Sequence, residues 1–219
     1  MTTIFSDNKT ASQLRTQIQS NLASGSAKRI RELFKEINPQ LVGDKKFESR
    51  WTDKRIDAAI LIPIILRPHG ASILLTVRSS KMPSHPGQIS FPGGKVDPSD
   101  ENLVATALRE AQEEVNIKPH QVDVIGELGV HKGGLGFSVT PIVGLVSPEI
   151  EIKPCPREVH EVFEVPLSFF VDLNNHKTEE FEHKGTKYNM FAAPYERFHI
   201  WGLTAGILRT LAETLQTTD

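Results

Sequence analysis

Residues Gly93 to Ile117 read GGKVDPSDENLVATALREAQEEVNI, and this stretch decides the fold. With Leu103 at zero and 100° per residue, Leu103, Val104, Ala107, Leu108, Ala111 and Val115 share a sector of about 140°, the apolar face of a helix running roughly from Asp100 to Val115. Glu110, Glu113 and Glu114 fall in a neighbouring sector about 100° wide. Like charges four residues apart repel by a few tenths of a kcal/mol, and Glu110 and Glu114 have that spacing. The acids also lie toward the helix C-terminus, where the helix dipole disfavours negative charge. A hard divalent cation with oxygen ligands, such as Mg²⁺, resolves both problems. The bland alternative is a solvated acidic face partly neutralised by Arg109. The preceding Pro92-Gly93-Gly94 favours the first reading, because glycine lets backbone approach the helix edge and offer a carbonyl oxygen.

Outward from this window the chain alternates short strands with few helices, an α+β pattern. Ala58 to Leu66 is a nearly continuous apolar run, as in a strand buried on both faces, with Pro63 marking a bulge or an unpaired edge. Arg67-Pro68-His69-Gly70 is a turn into a second strand, Ser72 to Val77. Further strands are expected at Gln88 to Phe91, Val122 to Val130, Val139 to Val146 and Glu149 to Lys153, with a short helix at Pro166 to Val171. Phe181 to Phe191 reads as a hairpin around Lys184-Gly185-Thr186, and Leu203, Ile207, Leu208, Leu211 and Leu215 form the stripe of a last helix. Upstream, Leu14, Ile18 and Leu22 recur every four residues, and Ile30, Leu33, Phe34 and Ile37 share a helix face that ends at Asn38-Pro39. These features predict an N-terminal helical extension (1–55) packed on a main domain (56–219), with a homodimer contact through the extension left open.

Composition narrows the class. The chain has 219 residues, a net charge of −2 and 24% charged residues, which excludes a basic nucleic-acid coat and a disordered polyelectrolyte. One cysteine, Cys155, allows no intramolecular disulfide and lacks zinc partners. Met1 to Lys9 is polar, and the longest apolar run is far too short to span a bilayer. A soluble cytoplasmic protein with a small-molecule substrate, no nucleic acid and no membrane is the expectation.

At Arg109-Glu110-Ala111-Gln112-Glu113-Glu114 the chain resembles the Nudix hydrolase family, whose signature is Gly-x5-Glu-x7-Arg-Glu-U-x-Glu-Glu-x-Gly-U, U being apolar. Ile117 matches the last position, and Asn116 replaces the late glycine, a residue that also tolerates the left-handed turn ending a helix. Asp100 lies six after Gly94 and Glu101 eight before Arg109; either fits the first glutamate, and the spacing to Arg109 favours Glu101. The resemblance implies a mixed sheet sandwiched between helices, with 93–117 as loop–helix–loop. It implies hydrolysis of a nucleoside diphosphate linked to another moiety. Mg²⁺ or Mn²⁺ would be held by Glu110, Glu113, Glu114, Glu101 and the Gly94 carbonyl, with Glu113 and Glu114 also candidates for catalysis. Arg109 would orient the carboxylates by an ion pair.

Leu74-Leu75-Thr76-Val77-Arg78-Ser79 and Gly87-Gln88-Ile89-Ser90-Phe91-Pro92-Gly93-Gly94 are similar to the extra signature of the coenzyme A diphosphatase branch of that family. Pro83 stands where the branch has a further arginine, with Lys81 and His85 nearby. Gly136 to Pro141 and Ile200 to Ala205 resemble the same branch. The implied products are adenosine 3′,5′-bisphosphate and 4′-phosphopantetheine. Arg78 offers a fork for phosphate oxygens, and Lys81, Gly93 and Gly94 join it as substrate-binding candidates. Lys95 could add charge. Glu158 and Glu161 are distal candidates for the base. Trp201 reads as core, and 131–136 as a flexible glycine-rich loop. The rival readings are hydrolysis of another derivative such as ADP-ribose, and a non-catalytic nucleotide-binding module.

Overall fold

The computed structural model describes residues 11–22, 26–45, 48–49, 54–132, 136–183 and 185–216. Helices α1 (Ala11–Leu22) and α2 (Ser26–Glu36) come first. Strands β1 (Ile56–Arg67), β2 (Gly70–Arg78), β3 (Ile89–Ser90) and β4 (Gly93–Lys95) follow, then helix α3 (Leu103–Val115). Next are β5 (Val122–Glu127), β6 (His131–Lys132), β7 (Phe137–Val146), β8 (Val159–Pro166) and the short helix α4 (Leu167–Val171). The hairpin β9 (Lys177–His183) and β10 (Thr186–Ala192) stands apart from the main sheet, and α5 (Gly202–Gln216) is the last helix.

The eight-stranded sheet is mixed, with order β3-β2-β1-β7-β5; β4 pairs β1, β6 pairs β7 and β8 pairs β2. Its centre is the parallel pair β1–β7, and every other pairing is antiparallel. The apolar run of β1 is explained by its two faces. Ala59, Leu61 and Ile65 pack with Ala107, Ala111 and Val115 of α3. Ile62 and Ile64 face the opposite layer, with Phe170 of α4, Leu208 and Leu211 of α5 and Ile18 of α1. Each of the Val, Leu, Ile and Phe side chains among these, fully buried, contributes about 1.5–3 kcal/mol. Pro63 sits where β1 changes partners: register with β4 ends at Ile60 and register with β2 begins at Ile64.

One expectation is corrected. Glu149 to Lys153 forms no strand. Its main chain closes the end of α3 instead: Lys153 N donates to Val115 O at 3.2 Å, and Glu151 O accepts from Asn116 Nδ2 at 2.9 Å. A strand also forms at Val159 to Pro166, where the sequence pattern predicts no element. Within the N-terminal segment, Ile18 is fully buried, and Asn38 joins α2 to β10 by reciprocal hydrogen bonds with Asn189. The side chains of Leu14 and Leu22, residues 133–135 and Lys184 lie outside the described set. Among the described residues no helix is long and apolar enough to cross a membrane.

Candidate active site

Helix α3 is fixed at both ends by its own sequence. Asn102 caps the start, its Oδ1 accepting from Ala105 N at 3.0 Å. Asn116 ends the helix in the left-handed conformation at φ 64°, as its replacement of a glycine requires. With the apolar face against β1, the acidic edge is aimed at the Gly93-Gly94 segment of β4. The three glutamates then part company. Glu114 is 3% exposed, Glu110 is half-buried, and the Glu113 side chain is 57% exposed.

Backbone contact dictates Gly93, and the Glu110 carboxylate occupies the space a side chain on Gly94 would take. A Cβ on Gly94 would lie 2.5 Å from the Glu110 carboxylate, and one on Gly93 would lie 2.5 Å from Ala59 O. At Gly93 only a residue without a side chain fits against β1, and at Gly94 a side chain would displace the Glu110 carboxylate. Gly93 N donates to Glu114 Oε2 at 3.3 Å. Burial pushes the Glu114 carboxyl up to about 8, and the charges of Glu110 and Glu158 add to that, against the pull of Arg78 and the Gly93 N–H. Burial likewise raises Glu110, opposed by Arg109. The site therefore holds two desolvated carboxylates, one helical turn apart, with too little positive charge around them.

Arg109 organises the outer half. Its Nε and Nη2 donate to the two Asp100 oxygens at 2.9 and 3.0 Å, and its Nη1 donates to Glu110 Oε1 at 2.7 Å. Nη2 also reaches Lys95 O at 3.1 Å, and Glu113 Oε2 lies 3.6 Å from Nη1. The bidentate grip of Arg109 holds the Asp100 carboxyl well below the usual carboxylate range. Asp100, with its side chain 5% exposed, is the acid beside Arg109, whereas Glu101, favoured by its spacing to Arg109, is exposed and away from it in the ion-pair network. The signal in the sequence was Asp97-Pro98-Ser99-Asp100, a turn that locks through side chains. Ser99 N donates to Asp97 Oδ1, Asp97 N donates to Asp100 Oδ2 at 2.9 Å, and Thr106 Oγ1 donates to the same oxygen at 2.8 Å.

Arg78 ends β2, and its Nη1 stands 3.9 Å from Glu114 Oε1. Glu158 is brought in by β8: its carbonyl accepts from Ser79 N at 2.8 Å, and its charge acts on both Glu110 and Glu114. The other distal acid, Glu161, is tied to Arg197. Lys81 and His85 are exposed on the 79–88 loop, and Lys95 Nζ stands 5.6 Å from the Phe137 ring. Trp201 is only half-buried, stacked on Phe181 at 5.0 Å between ring centroids. Cys155 N donates to Glu114 O at 2.8 Å, a supporting main-chain contact.

Residues 55–187 match the profile of the NUDIX domain. The chain belongs to the Nudix family. Two curated relatives named "Uncharacterized Nudix hydrolase NudL" agree. That of Photorhabdus laumondii is 43% identical over 167 residues, 76% of this chain and 89% of the relative. That of Citrobacter koseri is 42% identical over 179 residues, 82% and 89% of the two chains. The crystal structure of a C. elegans Ap4A hydrolase binary complex aligns with 51% of this chain and 80% of its own at 24% identity and a TM-score of 0.43. The protein is thus a Nudix hydrolase of nucleoside diphosphate derivatives, a family that generally uses divalent ions such as Mg²⁺ or Mn²⁺.

Among the described residues, no three Asp, Glu, His or Cys side chains converge as placed on one point that could hold an ion. The donors nonetheless suit a Nudix metal. Glu110 and Glu114 are desolvated and short of positive charge, and the Gly94 cradle brings backbone against Glu110. Glu113 is largely exposed and lies 3.6 Å from Arg109 Nη1.

Proposed function

We propose that this Nudix hydrolase cleaves the diphosphate of coenzyme A or a derivative of it, releasing adenosine 3′,5′-bisphosphate and (acyl-)4′-phosphopantetheine. The observation that carries this reading is Arg78. It belongs to the Leu74–Ser79 stretch that resembles the coenzyme A diphosphatase branch, and its guanidinium lies beside the most buried acid of the site. Glu110, Glu114, Glu113 and the Gly94 carbonyl would hold Mg²⁺ or Mn²⁺. Such an ion supplies charge for phosphoryl oxygens and a lowered pKa for bound water.

The chain's own residues do the rest. Arg109, anchored on Asp100, keeps the Glu110 carboxylate turned toward the glycine segment. Arg78 presents its fork to oxygens of the diphosphate. Glu113, Glu114 and Glu158 are the carboxylates that could accept the proton of the attacking water. Glu158 is favoured over Glu161, which Arg197 already neutralises. Residues 1–55 form the extension and 56–219 the catalytic domain in this proposal.

Liquid chromatography with mass spectrometry of reactions with Mg²⁺ and with Mn²⁺, run on coenzyme A and ADP-ribose side by side, tests the substrate. Preferential formation of adenosine 3′,5′-bisphosphate and 4′-phosphopantetheine is expected. Efficient cleavage of ADP-ribose with coenzyme A untouched would replace the substrate.

A further inference from the structure

Arg78 stands beside Glu114 without being bonded to it. The 3.9 Å between Nη1 and Oε1 is beyond hydrogen-bond reach, and Arg78 Nε is buried with no hydrogen-bond partner. An arginine committed to a carboxylate closes to about 2.7–2.9 Å and engages two donors of its fork. Arg78 does neither, although both side chains are sheltered, at 19% and 4% exposure. Its backbone is held firmly: Arg78 N donates to Gln88 O at 2.9 Å, and Arg78 O accepts from Gly87 N at 3.1 Å. The fixed main chain carries a long side chain whose Nε has no partner and whose Nη1 stops short of Glu114.

We infer that Arg78 is a surrogate cation for Glu114, opposing metal binding in the free protein and yielding Glu114 to the metal when a diphosphate arrives to take the guanidinium. The inference rests on the reading of Glu114 as a metal ligand and not on coenzyme A being the substrate. Two cations at one buried carboxylate repel each other, so without an anion Arg78 and the divalent ion compete. A diphosphate offers oxygens to both, and the two cations then support one another through it. By linkage, the substrate tightens the metal as much as the metal tightens the substrate. The device leaves the acidic site partly compensated in the free protein, and favours its full assembly only around a diphosphate.

Electron paramagnetic resonance of free Mn²⁺, titrated into chelator-stripped full-length protein without nucleotide, tests this directly. Arg78→Ala should bind Mn²⁺ about fivefold or more tightly than wild type. Arg78→Lys, which retains the charge, should stay near wild type, and Glu114→Gln should lose the tight site. ADP, added as a diphosphate probe with its own Mn²⁺ complex accounted for, should tighten Mn²⁺ on the wild type by a larger factor than on Arg78→Ala. Mn²⁺ affinity of folded Arg78→Ala equal to or weaker than wild type would overturn the inference. Circular dichroism verifies folding, and Arg78→Gln, uncharged but polar, takes the place of the alanine variant if that one melts. The titration contains no coenzyme A, so failure of the proposed substrate leaves its outcome unaffected.

Discussion

At the residue scale, replacing Glu114 by Gln separates chemistry from folding. Burial holds the Glu114 pKa up at about 8, so the metal-free fold already favours a neutral group there, and melting should show stability equal to or above wild type. Turnover should fall by orders of magnitude, and near-normal steady-state kinetics would remove Glu114 from the machinery. Gly94→Ala drives a methyl to 2.5 Å from the Glu110 carboxylate and should cost about 100-fold in kcat/KM by displacing it. Asp100→Asn and Glu101→Gln form a sharper pair. The first removes the anchor of Arg109 and should lower both activity and melting temperature; the second, on an exposed side chain, should be silent in both measurements. The carboxylates and glycines of this site were legible because helical spacing and lack of a Cβ act locally. Asp100 was legible only as one of two candidates, because counting from Arg109 follows the chain and favours Glu101, whereas the guanidinium reaches across a turn whose side-chain hydrogen bonds bring Asp100 back to it.

At the scale of elements, the ends of α3 set where the site lies. Asn116, at φ 64° and bonded to Glu151 O, tolerates Gly far better than a β-branched residue. Asn116→Val should lose about 1–2 kcal/mol in urea unfolding and Asn116→Gly only a few tenths. The helix was readable over Leu103 to Val115, but it starts three residues after the expected Asp100 because Asp97 to Asp100 spend their side chains on a turn. The strand Val159 to Pro166 escaped notice for a related reason. Its register with β2 slips between Val77 and Arg78, which blurs the alternation at its start. Glu149 to Lys153 has a strand-like composition, yet it is flanked by prolines and the end of α3 takes main-chain groups of Glu151 and Lys153.

At the scale of the molecule, His131 pins β6 to α5. It is buried, with Nδ1 2.9 Å from Gly129 O and Nε2 3.2 Å from Thr210 Oγ1. Burial depresses its pKa to about 4 from the ordinary 6.5, so the unfolded chain takes up the proton first. Stability is then full above pH 6.5 and falls as pH drops toward 4, by about 3 kcal/mol from this group. Urea midpoints across that range should show the fall in wild type and a shallower one in His131→Gln. The layered sheet was legible from apolar runs, while the join of Asn38 to Asn189 across 151 residues was not, since no local pattern encodes it. The central claim is that the carboxylates beneath the glycine segment grip a divalent ion. Anomalous diffraction from crystals soaked in Mn²⁺ tests it most directly. A peak within ligand distance of Glu110 and Glu114 is predicted; no peak there, with Glu114 still facing Gly93 N and Arg78, would contradict it.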